Sequence, residues 1–402
     1  MNNSISESVF DIASQKEFRR DAVRRLSERH PDSPKYKSQM ADYILSDECV
    51  EDLARLKSGE FYFDMPTARV YTINKKNRLI YTFPQKQMQI CSLINQAILL
   101  KYDNLFSDSI YSSRPGRYPG SMFITLRKHP ELADMYCLKA DIKNYGPSIK
   151  YSLLAPMTEA FFMGEPELIN FLKLIASECD YIKDGTLCKN ASSVKAGLPF
   201  CSLLESIFLT DFDTFVESRS DFYLRYCDDI LIYSKDRKQL ESLLKELTQL
   251  LEKKGLEFHP DKTGIHDRNE EFIFMGMRIC GNDIDFERAL IRDILKKIKA
   301  TSRSLSIQQR KKNMLPEIAL FLTINKVNHI IEKYGLKKDF KYITTDKSLK
   351  VLDKALTDLI RSAASGTTGR EKYKITYRDL NKWGYKSLVN QYYQAIKGHT
   401  SL

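Results

Sequence analysis

Two adjacent aspartates, Asp228 and Asp229, stand between the apolar runs FYLRYC and ILIY, and a third, Asp141, closes the apolar run MYCLKADI. Each run reads as a β-strand, so the sequence predicts a tight hairpin with Asp228 and Asp229 at its tip and Asp141 at the end of another strand. Adjacent carboxylates repel each other, and at the margin of a buried sheet they need a cation. Carboxylate oxygens at this density suit Mg²⁺, a hard ion that keeps several waters and binds substrate phosphates beside one or two carboxylates. Two such ions about 3.5–4 Å apart would activate a hydroxyl and stabilise a leaving pyrophosphate in an in-line displacement. The plain alternative is a solvated surface turn and an unrelated aspartate. The six histidines show no ligand spacing and read as surface or capping residues.

Several elements must hold these carboxylates in place. ARVYTINKKNRLIYTFP is β-prone with a basic turn at Lys75, Lys76, Asn77 and Arg78, QMQICSLINQAILLKYDNLF has helical periodicity, and SSRPGRYPG is a loop. After Ser234, Leu240, Leu243, Leu244, Leu247, Leu250 and Leu251 fall at helical spacing and predict an amphipathic helix ending at Gly255. GLEFH and EFIFMGMRI add strands, and Gly281-Asn282 predicts a hairpin turn into DIDF. Strands and helices mixed around one sheet argue for an α+β core. Residues 1–64 read as helical and polar. From Glu287 onward the pattern is almost wholly helical, with a polar break at SAASGTTGREKYK.

A chain of 402 residues suggests two or three domains and needs no disulfide or metal staple. The eight cysteines are scattered without a CxxC pair and read as reduced, mostly buried residues. No signal pattern opens the chain and no apolar run nears the ~20 residues of a membrane span, so a cytoplasmic protein is expected. Residues 287–402 hold 25 Lys and Arg against 10 Asp and Glu, a net +15, whereas residues 1–286 hold 38 against 42, a net −4. A basic module joined to a slightly acidic one points to a polyanionic partner, nucleic acid first, with a solvated lysine-rich surface as the alternative.

The ordered motifs resemble those of reverse transcriptases. Tyr226-Cys227-Asp228-Asp229 resembles their Tyr-x-Asp-Asp box, and LKADIKNYGPSI their first palm motif, with Asp141 as metal ligand. LEFHPDKTGI, with Lys262, and FIFMGMRI, with Gly276, resemble the next motif and the primer grip. RLIYTFP and SSRPGR resemble two fingers motifs of bacterial members, and GYKSLVNQYY loosely fits their thumb. The resemblance covers about residues 70–280. One palm motif departs from the family pattern. In a gapless alignment through GLPFCSLLESIFLTDFD to Asp213, Ser193 replaces a first glycine, Ala196 stands where a nucleotide-contacting glutamine is usual, and Gly197 is left to let the backbone approach template or nucleotide.

The resemblance implies an α+β right-hand polymerase with fingers, a palm of antiparallel sheet with helices, and a helical thumb. Its expected bounds are an N-terminal helical extension at 1–64, fingers at 65–134 and palm at 135–285, with a fingers-like helical insertion at about 151–192. A basic helical thumb and C-terminal region follows at 286–402. Implied metal ligands are Asp141, Asp228, Asp229 and the Ile142 carbonyl, for two Mg²⁺ ions. Lys75, Lys76 and Arg78 would clamp a dNTP triphosphate, Tyr145, Gly146 and Gly197 would border the nucleotide, and Lys262 would give a proton to pyrophosphate. Arg114 and Arg117 would touch template, Tyr226 and Gly276 the primer end, and Lys296, Lys297 and Lys299 the duplex phosphates. In relatives an aromatic ring blocks a ribose 2′-hydroxyl at the position of Gly146. Here ribonucleotides would be rejected poorly, or Tyr145 would lean into the gap.

No RNase H or HNH endonuclease pattern follows the thumb. The Pro-Ser-Ile after the first palm motif resembles retron and antiphage-defence reverse transcriptases. This implies an RNA-directed DNA polymerase copying a cognate noncoding RNA into cDNA, with no membrane partner. Two other classes stay open: a template-independent polymerase primed from a protein hydroxyl, which the 22 tyrosines permit, and a former polymerase that only sequesters RNA.

Overall fold

Alternating apolar and polar residues around basic or glycine turns become strand pairs, and the leucine-rich stretches become amphipathic helices. The computed structural model describes residues 7–28, 33–73, 76–112, 114–176, 180–189, 194–312 and 316–399. The chain divides into two compact units, residues 1–118 with 137–265, and residues 119–136 with 266–402.

The first unit holds two sheets. Their strands are β1 (Thr67–Ile73), β2 (Lys76–Thr82), β3 (Tyr136–Asp141), β4 (Tyr181–Lys183), β5 (Thr186–Cys188), β6 (Phe222–Tyr226), β7 (Asp229–Ser234) and β8 (Gly264–His266). One sheet has the order β2-β1-β4-β5 and the other β6-β7-β3-β8. Lys76, Asn77 and Arg78 are strand residues paired with Ile73, Thr72 and Tyr71, so the expected basic turn is shorter than its composition suggests. Lys75 lies outside the described residues. The insertion after residue 150 is not purely helical. After helices Tyr151–Phe161 and Pro166–Ala176 it forms the β4–β5 hairpin, which sets β4 parallel to β1. Asp184 and Gly185 turn that hairpin with φ of 50° and 79°, the double positive φ of a type I′ turn.

Helix Arg237–Lys253 buries Leu240, Leu243, Leu247 and Leu251. It ends as expected at Gly255, whose φ is 70°. The Leu256 N–H donates to the Leu251 carbonyl and the Gly255 N–H to the Glu252 carbonyl, which together make a Schellman motif. The N-terminal helices Val9–Ser14, Lys16–Glu28, Pro34–Ile44 and Asp47–Ser58 bury Phe10, Ala22, Met40 and Leu53.

The second unit holds the meander β9 (Glu271–Phe274), β10 (Met277–Cys280) and β11 (Asp283–Phe286), in the order β11-β10-β9. Met275-Gly276 joins the first pair with two positive φ angles, and Gly281-Asn282 joins the second as the sequence predicts. Helices Arg288–Lys312, Pro316–Tyr334, Lys347–Ser365 and Leu388–His399 follow. The buried Asp353 ties the last helix down, accepting from the Tyr385 hydroxyl at 2.6 Å, the Leu388 N–H at 2.7 Å and the Val389 N–H at 3.1 Å. The family-like tail around Tyr385 is thus anchored by a buried carboxylate that caps the N-terminus of its helix. Antiparallel strand pairs with many helices make the fold α+β. No described helix is long and apolar enough to cross a membrane.

Candidate active site

The three aspartates converge through backbone pairing. β3 and β7 are neighbours, and the N–H of Ile142 donates to the carbonyl of Asp228 at 3.1 Å, so Asp141 ends beside the Asp228 turn. The register Tyr226↔Asp229 makes Cys227-Asp228 the two-residue turn, with Asp229 already the first residue of β7. The hairpin tip is therefore one residue earlier than expected. Cys227 has φ of 52°, a conformation that favours glycine and that a side chain occupies only when its surroundings hold it.

Those surroundings are specific. The Cys227 N–H donates to Ser112 Oγ at 2.5 Å, and the segment before Ser112 pairs with β6, Arg225 N–H donating to Ser109 carbonyl and Tyr111 N–H to Arg225 carbonyl, each at 2.9 Å. Arg225 is fully buried. Its guanidinium grips both oxygens of the buried Asp213 at 2.7 and 2.6 Å and donates to the Cys227 carbonyl at 3.1 Å. The Tyr223 hydroxyl donates to the same carboxylate at 2.6 Å. Sequence reasoning missed Arg225 and the supporting role of Ser112. The available signal was a charged residue in the middle of an otherwise apolar strand, together with the aspartate that ends the preceding palm motif.

Asp141 is buried, and Lys262 donates its ammonium to one of its carboxylate oxygens. The Asp141 N–H donates to Thr263 Oγ1 at 3.3 Å, and the His259 N–H to the Asp141 carbonyl at 2.7 Å. Burial raises the Asp228 carboxyl above the usual range, as does the Asp141 charge, while its own backbone N–H, Lys262 and Arg78 pull it down. Burial, Asp228 and Asp141 push Asp229 up to about 7, against Lys262 and Lys139. Among the described residues no three Asp, Glu, His or Cys side chains already form an ion cage. Three hard carboxylates at one turn, two of them raised by burial and by neighbouring negative charge, are nonetheless a donor set short of positive charge, which suits Mg²⁺.

A fourth acid joins the site. Glu205, on helix Cys201–Phe208, is pushed up to about 7 by burial and by Asp228, against the Cys227 thiol, Arg225 and Arg78. Its only sequence signal is a lone charge on an apolar helix. The Tyr145 hydroxyl donates to the Glu205 backbone carbonyl and its ring is buried, so Tyr145 is a core residue and does not open onto a substrate. The space beside Gly146 is taken by the Glu205 carboxylate instead.

The other expected residues separate into two groups. Arg78 lies on β2 and is felt by both Asp228 and Glu205, which places it with the acidic cluster. Tyr226 is half-buried at the end of β6. The Lys76 side chain lies outside the described residues. Gly197 has φ of 101°, and a Cβ there would meet Ile80 Cγ2 and the Tyr81 carbonyl oxygen, each at 2.6 Å. That glycine lets its loop approach β2, where the Tyr81 N–H donates to the Ala196 carbonyl at 2.7 Å, so the close approach is to the protein itself. Arg114 is buried, with its donors directed to the Asp103 carboxylate and carbonyl and to the Ile110 and Ser107 carbonyls. It organises a loop and offers no face to a template. Arg117 pairs with Asp108 and lies over the Tyr111 ring. Gly276 and the exposed Lys296, Lys297 and Lys299 belong to the second unit.

Residues 73–279 match the family model described as reverse transcriptase (RNA-dependent DNA polymerase). No curated protein sequence matches the chain. Similar solved structures include a telomerase from Candida albicans in complex with a fragment of telomeric RNA, with a TM-score of 0.48 and 12% identity over 86% of this chain and 67% of that one. The apo telomerase of Candida tropicalis has a TM-score of 0.44 and 11% identity over 80% and 69%. The same enzyme truncated of its C-terminal domain has a TM-score of 0.43 and 13% identity over 59% of each chain. The chain thus spans less than two thirds of that last structure.

Proposed function

Because the chain belongs to the reverse transcriptase (RNA-dependent DNA polymerase) family, we propose that it makes DNA on an RNA template, with Asp141, Asp228 and Asp229 as its catalytic carboxylates. One observation carries this reading above the others. The bond from the Ile142 N–H to the Asp228 carbonyl brings the end of β3 against the Cys227-Asp228 turn. Carboxylates from two distant parts of the sequence, Asp141 and the adjacent Asp228 and Asp229, thereby share one partly buried site.

Asp141, Asp228, Asp229 and the Ile142 carbonyl would hold two Mg²⁺ ions, which when bound supply activation of the primer 3′-hydroxyl and charge neutralisation at the leaving pyrophosphate. Arg78 would meet the outer phosphates of the dNTP, with Lys75 and Lys76 beside it in sequence. Lys262, whose ammonium donates to Asp141, would give a proton from Nζ to the departing pyrophosphate. Tyr226 would border the primer end. Lys296, Lys297 and Lys299 stand exposed on a helix whose Ile291, Ile294 and Ile298 are buried, which supports a phosphate-binding role for that face. Fingers, palm and thumb would follow one another in that order along the chain.

The biological setting we propose is bacterial antiphage defence in the cytoplasm, with a structured noncoding RNA as template and its cDNA as product. This rests on the Pro147-Ser148-Ile149 motif. Sequencing the nucleic acid that co-purifies with the protein, and any DNA it makes, tests the reading. One RNA species with complementary DNA is expected. DNA complementary to no RNA would point to template-independent synthesis, and bound RNA without DNA would point to a binding module.

A further inference from the structure

A Cβ built on Gly146 would stand 2.6 Å from Glu205 Oε1, closer than real side chains come. A side chain at 146 and the carboxylate at 205 therefore compete for one volume. Glu205 is held in it. Its backbone carbonyl accepts from the Tyr145 hydroxyl, and its carboxylate faces the Cys227 thiol, with the charges of Asp228 and Arg78 close by. Gly146 itself follows Asp141 by five residues and is buried beside Val194.

A nucleotide whose α-phosphate meets Asp141 and Asp228, and whose outer phosphates meet Arg78, would carry its sugar past Glu205, which lies close to Asp228 and Arg78. We propose that Glu205 reads that sugar: its carboxylate fills the space left by Gly146 and excludes a ribose 2′-hydroxyl. The inference rests on the polymerase reading above and deepens it. The exclusion follows from where Glu205 can go. A hydroxyl arriving against the carboxylate would have to push it toward the Asp228 anion or into the Cys227 side chain, and neither move is favourable. A deoxyribose presents only a methylene there and leaves the carboxylate undisturbed. Bulk is thus supplied from helix Cys201–Phe208, and the glycine is what makes room for it.

The test compares kcat/KM for a dNTP and the matching rNTP on a primed RNA template, in wild type, Glu205→Ala, Glu205→Gln and Gly146→Phe with Glu205→Ala. Discrimination by shape against one hydroxyl is worth roughly 10- to 200-fold. Glu205→Ala should lower the dNTP preference by about ten-fold or more. Glu205→Gln, which keeps the bulk, should retain it, and the double variant should recover it because a ring takes the freed volume. The relative affinity of the two nucleotides for enzyme stalled on a chain-terminated primer should move by the same factor, a change that general loosening of the fold would not produce. Should Glu205→Ala melt early, Glu205→Gln and the double variant carry the comparison. A preference unaltered by Glu205→Ala, or one lost equally in Glu205→Gln, would overturn the inference alone. A wild-type enzyme that incorporates neither nucleotide would overturn the polymerase reading, and the inference with it.

Discussion

Asp229 bears the repulsion of its neighbours most directly, and its behaviour with pH follows from that. Burial and the charges of Asp228 and Asp141 push its carboxyl from 3.8 up to about 7. The folded state therefore holds a proton that the unfolded state has released, and stability falls as pH rises from about 4 to about 7. Asp229→Asn removes the penalty. In the absence of divalent cations it should stabilise the protein by a few kcal/mol, at most about 4, at pH 8, with the gain shrinking toward zero by pH 4. Urea midpoints at both values check this, and a gain that is the same at both would locate the effect elsewhere. The aspartates themselves were legible because each sits where an apolar strand starts or stops. Glu205 and Arg225 were not, because their significance depends on partners that only the folded chain supplies: Gly146, 59 positions upstream of Glu205, and Asp213, across a helix–strand connection.

The catalytic turn is an element that cannot hold its own shape. Cys227 at φ 52° sits in a region that costs a non-glycine residue on the order of 1–2 kcal/mol, and the Ser112 and Arg225 hydrogen bonds hold it there. Arg225 and Asp213 form a fully buried bidentate pair, so removing one partner leaves an uncompensated charge. Arg225→Met alone should destabilise the protein by about 3–5 kcal/mol. Arg225→Met combined with Asp213→Leu should be milder, since both charges leave together. Chemical denaturation of the three proteins tests the coupling, and purely additive losses would deny it. Other elements were readable from sequence: the leucine helix with its stop at Gly255, and the Gly281-Asn282 hairpin. The close approach of Gly197 to β2 was not, because sequence shows that a glycine is needed without showing what comes near it. The β4–β5 hairpin also escaped, its YIK and TLC strands being too short for a periodicity to register.

Over the whole molecule, charge is divided between a slightly acidic first part and a basic last third. If residues 287–402 follow a duplex by its phosphates, RNA affinity should fall steeply with ionic strength, and the log–log slope should track the number of phosphates neutralised. Changing Lys296, Lys297 and Lys299 to Glu should weaken binding and flatten that slope. An unchanged slope would move the binding face elsewhere. Binding and chemistry are thereby assigned to different residues, and that separation exposes the central claim to one measurement. In primer extension on RNA, with RNA affinity measured on the same preparations, Asp228→Ala with Asp229→Ala should abolish DNA synthesis, a loss of several kcal/mol in transition-state stabilisation, while leaving RNA binding within a few-fold of wild type. A double variant that still polymerised at near the wild-type rate would contradict the assignment of these carboxylates as the catalytic site.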